Sequence, residues 1–79
     1  MTSGPASLED VSVGGSVRVV DVAGDDAVAL RLLEMGLTPG VAVRVRGRAP
    51  FGDPIELELR GYRLSIRRAE AGRVTVETA

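Results

Sequence analysis

Hydrophobic residues alternate with polar or small ones along three stretches of the chain. In Val41-Ala42-Val43-Arg44-Val45-Arg46 the valines point one way and Ala42, Arg44 and Arg46 the other. That period of two predicts a strand with one face buried. Ile55-Glu56-Leu57-Glu58-Leu59 and Tyr62-Arg63-Leu64-Ser65-Ile66-Arg67 repeat the pattern. A two-residue turn at Arg60-Gly61 pairs Leu59 with Tyr62, Leu57 with Leu64 and Ile55 with Ile66, and all six then face inward. Outside, Glu58 meets Arg63 and Glu56 meets Ser65. One register satisfies both faces.

Val17 to Val22 predicts a first strand, but its alternation slips. Val17 and Val19 share one face, Val20 and Val22 the other, as a bulge or a strand buried on both sides would require. Gly24-Asp25-Asp26 ends it, and either Asp can cap a helix running from Ala27 to Met35. Val28, Ala29, Leu32, Leu33 and Met35 fall on one broad face of that helix. Ala27, Arg31 and Glu34 lie opposite, and Leu30 sits at the edge of the polar arc, where burial is least expected. On this phase Leu33 is a core position. Gly36 is placed to end the helix in the left-handed conformation. Leu37-Thr38-Pro39-Gly40 suits a type II turn. Gly47 to Pro54 reads as a loop, and Arg73 to Glu77 as a last short strand after Gly72. Near the start, Ser7 is a cap for a single helical turn through Val11.

The fold class is therefore mainly β: five short strands and one helix inserted after the first. Strands this short, buried on one face, curl into a small barrel that removes open edges. Residues 1–6 are expected to form a disordered tail and residues 7–79 the domain.

Composition removes whole classes of chemistry. The 79 residues include no His, Cys or Trp, one Phe and one Tyr. Without His there is no Ser-His-Asp or Cys-His catalysis. Zinc, thiolate and iron–sulfur sites lose their usual ligands. No disulfide can support the core. No phosphate-binding glycine motif is present, and Glu56 with Glu58 reads as two solvated acids rather than a catalytic pair. Neither catalytic residues nor a cofactor nor a metal site is expected.

All ten basic residues are Arg, the usage of a GC-rich genome. Residues 1–40 carry two Arg against six acids, a net −4, and residues 41–79 carry eight against five, a net +3. Such asymmetry marks a possible binding face. Single-stranded nucleic acid would need stacking aromatics as well, so no nucleic-acid role is expected. The start has no signal-like segment, and the longest apolar run, Ala27 to Leu30, is too short to span a bilayer. The expected location is the cytoplasm, with no membrane insertion.

Two segments remain as interaction candidates. One is the helix–turn stretch from Leu30 to Leu37, where Leu30 and the adaptable Met35 can lie on a rim. The other is Ala49-Pro50-Phe51-Gly52-Asp53-Pro54, an aromatic on a stiff loop.

These segments carry a resemblance. Arg31-Leu32-Leu33-Glu34-Met35-Gly36-Leu37-Thr38-Pro39-Gly40 closely resembles the RLxEMGLxPG signature of FeoA, the ferrous iron transport protein A family. Leu8 with Gly14 looks like the family's opening, and Pro50-Phe51-Gly52-Asp53-Pro54 is similar to its PxGDP loop. Gly61 to Arg67 resembles its GxxLxLR strand, and Ala69-Glu70-Ala71 with Val74 and Val76 its EAxxIxV close. The resemblance covers about Leu8 to Glu77.

It implies a cytoplasmic SH3-like small barrel that assists FeoB, a membrane ferrous iron transporter with a cytoplasmic GTPase domain. The partner would be that cytoplasmic part. The implied contact residues are Leu33, Met35, Leu37, Pro50, Asp53 and Pro54, with Arg67 a second charged motif position beside Asp53. Leu30 and Phe51 match no motif position, so contact there would be particular to this protein. The domain also resembles the C-terminal module of iron-dependent repressors, but the roughly sixteen residues before the first strand are too few for a helix-turn-helix. A direct, weak ferrous iron binder using Asp25, Asp26 and Asp53 is the other alternative.

Overall fold

The computed structural model describes residues 6–78. Five strands and two helices follow in the order β1 (Ser16–Val22), α1 (Ala27–Glu34), β2 (Ala42–Arg48), β3 (Ile55–Leu59), β4 (Tyr62–Ile66), α2 (Arg68–Ala71) and β5 (Val74–Thr78). A 3₁₀ turn, Leu8–Asp10, precedes them and buries Leu8. Residues 1–5 of the expected tail lie outside the described residues. Ala6 already meets the sheet, its carbonyl accepting the Val76 N–H at 3.2 Å.

The strands form one antiparallel sheet in the order β4-β3-β2-β1-β5. Among the described residues no ladder joins β4 to β5, so the sheet is not closed, and its five antiparallel strands with one helix after the first are the small mainly-β architecture that the pattern predicts. The β3–β4 hairpin has the register the alternation predicts, with Ile55 opposite Ile66 and Leu59 opposite Tyr62. Arg60 and Gly61 both take positive φ, 50° and 82°, the turn that matches strand twist. The slip in β1 is a bulge between Val19 and Asp21. It carries Val17, Val19 and Val22 all to the core and leaves Val20 exposed.

Asp26 caps α1, its side chain accepting the Ala29 N–H. Ala29 and Leu32 are the residues of α1 that are fully buried, while Val28, Leu33 and Met35 pack on the core's margin. Leu33 is therefore a rim residue, and Leu32 holds the central position expected for it. Leu30 is 56% exposed, as its place on the polar arc predicts.

The end of α1 explains the sequence that follows. Gly36 has φ 110°. The Leu37 N–H bonds the Leu32 carbonyl at 3.2 Å, and the Gly36 N–H bonds that of Leu33 at 3.0 Å. This is a Schellman end, whose flanking apolar pair here is Leu32 and Leu37. Both are completely buried. Leu37, expected at a partner surface, belongs to the core instead. The turn expected at Leu37 to Gly40 lies one residue further on, at Thr38 to Val41, closed by the Val41 N–H on the Thr38 carbonyl at 3.1 Å.

Tyr62 also departs from its expected inward place. Its register is as expected, but it is 42% exposed. The inward direction at that end of β4 leads to the end of α1, where the Tyr62 hydroxyl donates to the Met35 carbonyl.

Candidate functional site

Three candidate residues from distant segments meet in one cavity. Met35 at the end of α1, Pro54 from the β2–β3 loop and Arg67 before α2 line a depression of about 330 Å³, with Arg31, Ile66 and Glu70. Its walls are apolar at Met35, Pro54 and Ile66 and basic at Arg31 and Arg67.

Each wall is fixed by local chemistry. Met35 is held by the Schellman end and by Tyr62 on its carbonyl. Pro54 is held because the loop closes on itself: the Ala49 N–H bonds the Pro54 carbonyl at 3.1 Å, and the Gly52 N–H bonds that of Ala49 at 2.7 Å. Asp53 ties this loop to α2, its Oδ1 accepting the Arg68 N–H at 3.0 Å. Glu70 completes the frame. It is 9% exposed, accepts the Arg67 N–H at 2.8 Å and pairs with Arg31 of α1. A buried carboxylate needs such partners, because burial without them is costly.

Among the described residues four of the ten arginines are held in ion pairs, and Arg67 is not one of them. Arg31, Arg46, Arg68 and Arg73 are each paired with a carboxylate. Arg67 has no such pair among the described residues and is exposed. Glu58, expected opposite Arg63, sits there in register but gives its ion pair to Arg46, at 3.1 Å.

The other candidates lie elsewhere. Leu30 and Leu33 line a separate cavity of about 300 Å³ with Gly24, Asp25, Asp26, Ala27 and Ala29. Phe51 stands at the loop tip, 94% exposed, and Pro50 beside it is exposed. Asp53 acts as a helix cap. Asp26 serves α1 and the Arg73 guanidinium, 2.6 Å away, which holds its carboxyl below the usual range together with the Ala29 N–H. Among the described residues no three His, Cys, Asp or Glu side chains gather as a metal site. No helix among them is long and apolar enough to cross a membrane.

Sequence reasoning missed Arg31 and Glu70 as cavity residues, and missed α2 altogether. The signal was the spacing of Arg67 and Glu70, an acid at the third helical position reaching back to the residue before the helix.

Comparison with known proteins agrees with this architecture. The FeoA domain model matches residues 6–78. The Fe(2+) transport protein A/Fe(2+) transporter FeoB fusion protein of Porphyromonas gingivalis is 33% identical over 70 residues, 89% of this chain. This chain spans 8% of that protein's length. An FeoA-like protein from Clostridium acetobutylicum is similar at TM-score 0.87 and 38% identity, over 99% of this chain and 90% of that one. FeoA of Stenotrophomonas maltophilia, solved in complex with zinc and described as a prokaryotic SH3 domain protein, is similar at TM-score 0.81 and 31% identity, over 92% and 91% of the two chains. With a matching family model across nearly all its length and the same SH3-like fold, the chain belongs to the FeoA domain family.

Proposed function

We propose that this chain is a cytoplasmic accessory protein of ferrous iron uptake. It binds the cytoplasmic part of an FeoB-type membrane transporter and modulates its assembly or GTPase-linked transport. The observation that carries this reading is the convergence of Met35, Pro54 and Arg67 on one exposed cavity. Their positions were singled out by motif, and they come from three separate segments. The fusion protein of Porphyromonas gingivalis supports the choice of partner, since there a domain similar to this one shares a chain with FeoB.

The cavity suits a protruding apolar side chain flanked by a carboxylate. Met35, Pro54 and Ile66 take the apolar group, and Arg67 takes the charge in a bidentate pair. The frame around it is held by hydrogen bonds before any partner arrives, so little ordering entropy is lost on docking. The test is the transporter's GTPase rate and oligomeric state, with and without saturating chain. A change in either supports the reading, and no change in rate, assembly or iron flux contradicts it.

A further inference from the structure

Beyond docking to a transporter, we infer that the chain associates weakly with a second copy of itself, the Phe51 ring of one entering the Leu30–Leu33 cavity of the other. Phe51 is the chain's single Phe and is 94% exposed. Its loop is braced by two backbone hydrogen bonds, from Gly52 to Ala49 and from Ala49 to Pro54, so the ring is presented as a rigid knob. The hole is the cavity of about 300 Å³ beside α1, with apolar walls at Ala29, Leu30 and Leu33. An apolar cavity of about 150 Å³ is already enough to take up benzene.

Charge selects the same pairing. The cavity mouth carries Asp25, which has no ion pair among the described residues. The knob is flanked by two cations, Arg48 and Arg67, neither in an ion pair among the described residues, against the single carboxylate of the loop, Asp53. Arg48 spends its guanidinium on the carbonyls of Glu9 and Val11, at 2.6 and 2.8 Å. On the loop's other side Arg67 lines one depression with Pro54. An acidic hole and a basic knob on one chain attract each other between copies and set the orientation. A knob and a hole at different places on one surface make a contact that either closes reciprocally or continues from copy to copy.

The contact is small, so the association is expected with a Kd on the order of 0.1–1 mM. Sedimentation velocity of the chain alone reads it, so its outcome is independent of the transporter. The wild-type coefficient should rise between about 20 µM and about 1 mM, and less so as salt is added. Phe51→Ala and Leu30→Asp, both at exposed positions and checked for fold by circular dichroism, should each stay monomeric. An equimolar mixture of the two retains one intact knob and one intact hole, and should associate again. Phe51→Trp places an indole in a chain that has no Trp, and its emission should shift to the blue as concentration rises. A wild type monomeric at about 1 mM overturns the inference and leaves the cavity to another occupant. Association that survives Phe51→Ala overturns it too.

Discussion

The Asp53 carboxylate accepts the backbone N–H of Arg68 at 3.0 Å, across fifteen positions of sequence. It caps a four-residue helix from outside that helix and fixes the Phe51 loop against α2. One hydrogen bond therefore sets the spacing of Pro54 and Arg67, two walls of the candidate site. Asp53→Ala should cost about 1 kcal/mol of stability, the usual worth of a helix cap. Asp53→Asn, which retains an acceptor oxygen, should cost less. Urea unfolding of the two variants checks the difference.

The helix phase makes a second prediction. Leu32 is completely buried, whereas Leu30 is 56% exposed. Leu32→Ala should cost about 2–5 kcal/mol through lost burial and the cavity left behind. Leu30→Ala should stay within about 0.5 kcal/mol of wild type. The same unfolding experiment separates them, and similar costs would mean that the helix is rotated.

Gly36 and Tyr62 should be coupled. Gly36 combines φ 110° with close approach by Tyr62 Oη, which a Cβ there would strike first. Gly36→Ala should therefore destabilise by more than the roughly 1 kcal/mol that positive φ alone exacts. Tyr62→Phe removes the clashing oxygen, so the two changes together should cost less than their sum. A double-mutant cycle measures this.

Acid should loosen the start of α1. Arg73 and the Ala29 N–H hold the Asp26 carboxyl below its ordinary 3.8. A depressed carboxyl stabilises the fold above its unfolded value, and this contribution is lost as pH falls through the lower, folded value. Stability should thus be insensitive to this group near neutrality and should fall in acid below pH 3.8. Asp26→Asn should flatten that acid limb, read as thermal midpoints across pH.

The hairpin was legible because alternation and turn chemistry agree: Ile55 to Ile66 has one register that satisfies both faces. The β1 bulge was legible from the slip between Val19 and Val20. Leu37 was misplaced because a surface motif and a Schellman end look alike in sequence. Only the bond from Leu37 back to Leu32 shows which it is. Tyr62 obeys its strand period, yet that face at the sheet's end meets a helix terminus rather than the core. The short helix α2 has no period to detect, and its cap comes from Asp53, far away in sequence. The site was legible as separate pieces. Their assembly around Glu70 depends on tertiary contacts that no local pattern encodes.

The most direct test of the account is capture of the FeoB-type transporter from the same genome, in detergent with a GTP analogue, by wild type and by Arg67→Glu. Arg67 is exposed and its side chain supports no ion pair among the described residues, so the variant should remain folded. The account predicts capture by wild type and a loss of about tenfold or more in affinity for Arg67→Glu. Equal capture by both would contradict the placement of the docking surface, and capture by neither would contradict the accessory role.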